Sequence, residues 1–395
     1  MPSGRAPLSA PAWVVWPQYG AGSLAQVVPD AIAALGISLG GAASDPPPGL
    51  AAGGLGESGA GPDGIVLVLA DGLGLSNLEA RRGHAPFLWA GPRQRRVTGY
   101  PSTTVASLGS FGTGLAPGQT ALAGYSLRDP ATGGRATLIK WDTPTDPLAW
   151  QPQPTLFERL AAAGRPATFI GEARFQDSAL TRSALRGARF RPAGTAPSSR
   201  LAAALAAVRQ GDGLVYLYWG DLDKVGHAKG WESTAWATAL EQLDRAMADL
   251  AGRLPGNWQL WLTADHGMVD AGRGRGPVWD TQDYPALAEG VDLIAGEARA
   301  VHVYTKQPEA VAARWMEVLG AGAWVLTKAE AVEAGLFGPV DARVAPYLGD
   351  VVVALAGRGI VLDTPGQGAG SAKMVGQHGS LTEPEMAVPL LRWAG

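Results

Sequence analysis

Cysteine is absent from this chain of 395 residues, and histidine occurs only five times. Without thiols there are no disulfides, no Cys-ligated zinc, no iron–sulfur cluster and no thiol nucleophile. Any metal site has to be built from imidazoles and carboxylates. Charge is scarce as well: Asp, Glu, Lys and Arg make up 17%, against ~25% in an ordinary globular protein. The net charge of −3 leaves no basic surplus, so nothing points to nucleic acid or an anionic membrane surface. No run approaches the ~20 apolar residues of a membrane span. Residues 1–8 are polar and Pro-rich, and 12–16 is too short for the apolar centre of a signal peptide, so a cytoplasmic protein is the default expectation. What is present is glycine (55) and proline (30) around a hydrophobic fraction of 46%. That is the composition of a loop-rich folded protein with a sizeable core.

Residues 23–35 read as a helix with Ser23 as N-cap, and the Gly/Pro/Ala-rich stretch 42–64 as an exposed loop. Continuous apolar runs at 65–70 (IVLVLA) and 214–219 (LVYLYW) have the pattern of buried parallel strands. Strands at 167–171 and 259–263 alternate with helices at 155–164, 201–209 and 234–254. This alternation predicts an open, mostly parallel α/β sheet with helices on both faces. Residues 272–370 read differently. A strand with one wet face is expected over 298–305, a Pro-opened helix over 308–319, and strands at 350–355 and 360–363. The expected organisation is therefore a catalytic core of 1–271 and 371–395, with 272–370 as a smaller α+β insertion.

Three acidic motifs follow three of these strands: Asp71-Gly72, Asp221-Leu222-Asp223 running to Gly226-His227, and Asp265-His266-Gly267. In open α/β sheets the crevice at the carboxyl ends of the strands binds ligands, and parallel strands would bring the motifs together there. One Asp after a strand is also an ordinary turn residue; three, two of them accompanied by His, form a constellation. Asp223 and His227 are four apart, hence on one face of a helical turn. Gly376-Gln377-His378-Gly379 adds a Gly-flanked histidine. Imidazole with carboxylate suits zinc or manganese, and two ions sharing such ligands, ~3.5–4 Å apart, serve phosphoryl-transfer enzymes. Between the first two motifs lies Pro101-Ser102-Thr103-Thr104. A helix starting near Thr104 would offer free N–H groups to a phosphate, and a hydroxyl there is a candidate nucleophile, with Ser102 or Thr103 equally readable as an N-cap.

The ordered set of Asp, P-S-T-T with T-G-L downstream, D-x-x-G-H, D-H-G and G-x-H resembles the alkaline phosphatase superfamily. Within it the chain is most similar to the type I phosphodiesterase/nucleotide pyrophosphatase family, from about residue 65 to 391. The resemblance implies an alkaline phosphatase-like fold and two divalent metal ions, zinc or alternatively manganese. It implies one metal on Asp223, His227 and His378, and a second on Asp71, Asp265, His266 and Thr104. Thr104, favoured over Thr103 by register, would be the nucleophile of a phosphothreonine intermediate, and Asp221 a neighbour. The implied activity is hydrolysis of a small-molecule phosphoester, a nucleotide among the candidates. Phosphomonoester cleavage, phosphotransfer on the same site, and a catalytically silent metal-binding protein are the alternatives. One position departs from the family pattern: Ser107 stands where nucleotide-cleaving members carry an Asn amide to hold a phosphate oxygen. The remaining histidines, His84 and His302, are expected to be structural. Tyr125, Trp141 and Phe175 are candidates for stacking on substrate, and Lys140 for contacting its phosphate.

Overall fold

The computed structural model describes residues 10–39, 61–272, 274–368 and 370–395. The N-terminal segment 1–8, and 42–60 of the expected exposed loop, lie outside the described residues. Six strands of the central sheet come first in the chain: β1 (Gly64–Ala70), β2 (Arg93–Val97), β3 (Thr168–Gly171), β4 (Arg189–Pro192), β5 (Leu214–Trp219) and β6 (Trp258–Thr263). Four more, β7 (Leu293–Glu297), β8 (Ala300–Tyr304), β9 (Ala323–Thr327) and β10 (Val351–Leu355), build a second sheet before β11 (Ala387–Ala394) returns to the first. The central order is β2-β11-β6-β1-β5-β3-β4. Every pairing is parallel except the two made by β11.

The apolar runs that marked β1 and β5 follow from burial on both faces. Side chains alternate across a strand, so Ile65, Leu67 and Leu69 enter one core while Val66, Val68 and Ala70 enter the other. Leu214 and Tyr216 divide from Val215, Leu217 and Trp219 in the same way. Helices α1 (Val27–Ala34) and α2 (Thr104–Thr113) cover the first face, and α3 (Pro197–Arg209) and α5 (Thr234–Ala251) the second; α4 (Asp221–Lys229) lies between α3 and α5 in the chain. The stripe on α5, Trp236, Leu240, Leu243, Met247 and Leu250, has the spacing of one buried helical face. No helix among the described residues is long and apolar enough to cross a membrane.

The second sheet is antiparallel, in the order β7-β8-β10-β9. The wet face expected for 298–305 is a dry one: all five residues of β8 are buried. Val301 and Val303 pack with Val311 and Trp315 of α6 (Pro308–Leu319). Ala300, with Trp324, Leu326 and Val352 of the neighbouring strands, joins the main core instead. Polar residues in the alternation are satisfied internally. His302 contacts the Ala123 carbonyl through Nε2 at 2.9 Å and accepts from Gly349 N through Nδ1 at 3.0 Å.

With one ring nitrogen accepting and the other donating, His302 is neutral, and burial pushes its pKa down to about 4. The unfolded chain, near pKa ~6.5, binds that proton first. The stability this histidine contributes is therefore complete above pH ~6.5 and lost as pH falls toward 4. Between pH 7 and pH 5 the unfolding free energy of the wild type should fall by about 2 kcal/mol more than that of His302→Gln. Urea titrations at the two pH values measure this, and equal pH slopes would contradict it.

Candidate metal and phosphate site

Three strand ends assemble the site. β1 and β5 are paired through Ala70 and Trp219, and β1 and β6 through Leu69 and Thr263. Their carboxyl ends therefore emerge side by side, as the crevice rule requires. Asp71 follows β1 and is tied to β5 by its N–H, which donates to Trp219 O at 2.9 Å. Gly72 then turns with φ +77°, where a Cβ would stand 3.0 Å from the Asp223 Cα, so only glycine lets the two loops approach. Asp223 and His227 lie in the first and last turns of α4. Asp265 and His266 follow β6. His378 follows the two-residue strand Gly376–Gln377, which pairs with Val269–Asp270.

All six residues converge. His227 Nε2 is 3.2 Å from Asp223 Oδ1 and 3.3 Å from His378 Nε2, and His378 Nε2 is 3.8 Å from the same Asp223 oxygen. His266 Nε2 is 3.4 Å from Asp71 Oδ1 and 3.5 Å from Asp265 Oδ2. Ligand atoms of Asp223, His227 and His378 lie within 4.8 Å of one another, as do those of Asp71, Asp223 and His266. The two groups share Asp223.

The hydrogen bonds around the rings show what these groups suit. Each histidine faces a backbone carbonyl through Nδ1: His227 with Gly376 O at 2.8 Å, His266 with Gly267 O at 3.0 Å, and His378 with Ser102 O at 2.9 Å. A carbonyl only accepts, so Nδ1 carries the proton and Nε2 presents its lone pair to the crevice. In the neutral rings the Nε2 atoms of His227 and His378 confront each other; burial disfavours a charge on His227, but the adjacent Asp223 carboxylate raises its pKa above the usual histidine value. Opposite them, Asp71 Oδ1, Asp223 Oδ1 and Asp265 Oδ2 are buried without a hydrogen-bond partner. Buried acceptors without donors are costly, and lone pairs and carboxylates aimed at one space fit cations. The charges agree. Burial, then the Asp265 and Asp223 carboxylates, push the Asp71 carboxyl well above its usual range. Burial works against Asp223 too, but His227, His378 and His266 hold it below that range. Burial and the two other imidazoles push His378 well below the usual histidine value.

Thr104 is the first residue of α2, after Thr103 in extended conformation as N-cap. Its Oγ1 lies 3.2 Å from His266 Nε2. Ser102 is engaged elsewhere: its hydroxyl donates to Ser380 O and accepts from Gly379 N. Ser107 does not face a ligand. Its Oγ donates to Asp265 O at 2.8 Å and pairs with Thr98 Oγ1 at 2.9 Å, so it fastens α2 to the Asp265 loop rather than offering a bond to phosphate. Asp221 makes a two-point ion pair with Arg200, outside the cluster. His84 pairs with Glu241 on the surface. The Trp141 indole N–H donates to Thr145 O and its ring meets Trp150 edge-on, a packing role, while Lys140 is exposed. Tyr125 is held by its backbone N–H, which donates to Glu297.

Sequence reasoning missed three contributors. The Tyr218 hydroxyl donates to Asp71 Oδ2; two tyrosines, Tyr216 and Tyr218, on one face of an apolar strand were the available signal. Arg299, fully buried, makes two 2.7 Å bonds to Glu385. Glu385 in turn accepts from Ser380 N and, through its carbonyl, from Gly267 N, steadying both loops that carry His378 and His266. The third is a pocket of about 230 Å³ beside Thr104, lined among others by Leu108, Phe169, Phe175, Leu180 and Tyr218.

Known proteins of several kinds are similar to this chain. A phosphopentomutase of Methylobacterium nodulans is 33% identical over 185 residues, 44% of this chain and 42% of that protein. A phosphopentomutase of Chelativorans sp. is 29% identical over 167 residues, 41% and 38% respectively. The chain thus spans about two-fifths of the length of these curated relatives. Among solved structures, murine ectonucleotide pyrophosphatase/phosphodiesterase 5 superposes with TM-score 0.67 at 16% identity, covering 83% of this chain and 87% of that one. Phosphonoacetate hydrolase from Sinorhizobium meliloti, in complex with phosphonoformate, gives TM-score 0.64 at 21% identity, covering 84% and 90%. These likenesses establish an alkaline phosphatase-like fold. The type I phosphodiesterase/nucleotide pyrophosphatase family matches residues 65–381, a span that takes in every strand-end motif of the crevice, and the chain belongs to that family.

Proposed function

We propose that the protein is a metal-dependent phosphoester hydrolase that acts through Thr104. The observation that carries this reading is the set of three unpartnered carboxylate oxygens and three Nε2 atoms turned into one crevice beside a helix-terminal hydroxyl. In this reading Asp223, His227 and His378 hold one divalent cation, and Asp71, Asp265, His266 and Thr104 a second, zinc or manganese being suited to the donors. When bound, such a pair lowers the pKa of a hydroxyl and offsets charge on the phosphate. The rest falls to the chain. The Thr104 hydroxyl gives its proton to water and its oxygen attacks phosphorus; the bond from phosphorus to the departing oxygen breaks, that oxygen takes a proton from solvent, and water then attacks phosphorus of the phosphothreonine, breaking its bond to Thr104 Oγ1 and restoring the hydroxyl. First-turn N–H groups of α2 offer donors to the phosphate oxygens. Tyr218 fixes the orientation of Asp71, and the Gly376, Gly267 and Ser102 carbonyls fix the rings. Residues 272–370 act as an inserted α+β subdomain whose Arg299 braces the His378 loop.

Diester or phosphoanhydride cleavage is the leading form of this activity. With bis(4-nitrophenyl) phosphate and 4-nitrophenyl phosphate compared, kcat/KM should favour the diester by about tenfold or more. A monoester preference of that size would overturn the diester assignment. The identity to phosphopentomutases supports a second reading, transfer of the phosphoryl group to an alcohol. That reading expects a transfer product when alcohol acceptors are supplied, where hydrolysis alone yields free phosphate.

A further inference from the structure

The pocket beside Thr104 differs in character from the crevice it adjoins. Leu108 comes from α2, Phe169 from β3, Tyr218 from β5, and Phe175 and Leu180 from the segment after β3. Ile139, 47% exposed, is also among its lining residues. Aromatic edges form much of the wall: Phe175 meets Tyr218 at 5.5 Å and 87°, and Phe169 stacks on Tyr216 at 4.8 Å.

Most polar side chains of this wall already have a partner, and the Tyr216 hydroxyl, which has none, is buried behind the wall and closed off from solvent. The Tyr218 hydroxyl donates to Asp71. Ser178 donates to Thr181 Oγ1 at 3.0 Å and accepts from Thr181 N at 3.2 Å, capping a short helix. The one charged lining residue, Arg174, lies over the Phe175 ring at 4.6 Å and is ion-paired with Glu172. A nucleobase carries several donors and acceptors on its edge, and each one buried here without a partner would count against binding. A hydrocarbon or plain aryl group meets no such penalty and gains from leaving water.

From this wall we infer that the pocket takes an apolar organic group esterified to the phosphate, of the size of one or two aromatic rings, in preference to a nucleobase. The inference rests on the proposed reading of Thr104 and its metal groups as the phosphate site, and it names the substrate class of that site: an amphiphilic phosphoester.

Organophosphonates test this, because each carries one organic group and does not turn over. The full chain loaded with zinc is titrated calorimetrically with inorganic phosphate, methylphosphonate, phenylphosphonate and the phosphonate analogue of thymidine 5′-monophosphate, in which a methylene replaces the ester oxygen. Phenylphosphonate should bind about tenfold or more tighter than methylphosphonate, with the nucleotide analogue below it. Phe175→Ala should remove most of that ratio, and Leu180→Ala should reduce it, each read against phosphate in the same preparation so that a folding defect is visible. Equal binding of methyl and phenyl ligands, or tightest binding of the nucleotide analogue, overturns the apolar assignment and leaves the phosphate site standing. Failure of every ligand, phosphate included, overturns both.

Discussion

Thr104→Ala is expected to lower turnover of bis(4-nitrophenyl) phosphate by about 10³-fold or more, with the thermal midpoint nearly unchanged and Asp71, Asp265 and His266 left to hold the second ion. Loss of the nucleophile in a hydrolase that works through a covalent intermediate costs up to ~10⁶ in kcat, and the machinery left behind retains some catalysis. Here that remainder is substantial, since the carboxylates, the imidazoles and the α2 terminus all stay in place. Thr104→Ser restores a hydroxyl at the same Cβ and should recover activity to within about tenfold of the wild type. The pair separates the hydroxyl from the methyl group that packs beside it. Rapid mixing adds a second readout, a burst of 4-nitrophenol in the wild type that vanishes in the alanine variant. Turnover in Thr104→Ala above a tenth of the wild-type rate would remove Thr104 from the mechanism.

Stripping divalent cations should cost more stability than any single surface change. Asp71, Asp223 and Asp265 each leave a buried oxygen with no donor, and the Nε2 atoms of His227 and His378 face each other at 3.3 Å. Bound cations relieve that repulsion in the folded chain and find no such cluster in the unfolded one. A ligand present at 1,000 times its Kd stabilises by ~4 kcal/mol per site. For two sites in a chain of this size, chelation should lower Tm by roughly 10 °C. Scanning calorimetry before and after chelation, then with zinc or manganese returned, measures the effect, and elemental analysis gives the number bound. An unchanged Tm after complete chelation would argue that the cluster is not a metal site. Asp223→Asn removes the carboxylate from the group formed with His227 and His378, and should lower the metal content from two ions per chain toward one.

What the sequence revealed follows from where the free energy lies. Strands buried on both faces must be apolar throughout, so β1 and β5 were visible as runs, and the residues just past their ends pointed to the crevice. β2, reading Arg-Gln-Arg-Arg-Val, is an edge strand whose first three residues are exposed. It carries no apolar pattern, and its charges are the ordinary protection of a sheet edge. β11 pairs between β2 and β6 from the far end of the chain, and nothing local announces a partner nearly 300 residues away. The dry second face of β8 was hidden for a similar reason. Alternation shows which residues are polar, and not whether a polar residue such as His302 meets water or the carbonyl of Ala123. At the site, residue types with metal chemistry stood out, whereas Tyr218, Arg299 and Glu385 act by holding others and are ordinary in composition. The pocket, made from β3, β5, α2 and a connecting segment, has no counterpart in any single stretch of sequence.

The sharing of the cluster between distant parts of the chain sets an order on its assembly. During synthesis Asp71, Asp223 and His266, one complete group of potential ligands, emerge before residue 272 and can meet as soon as β1, β5 and β6 pair. The other group waits for His378, and hence for the whole of 272–370. The Arg299–Glu385 contact that steadies the His378 loop waits seven residues longer still. A ribosome-bound chain thus holds one group of potential ligands well before the other, which arrives with the closing stitch that joins the last strand to the first six.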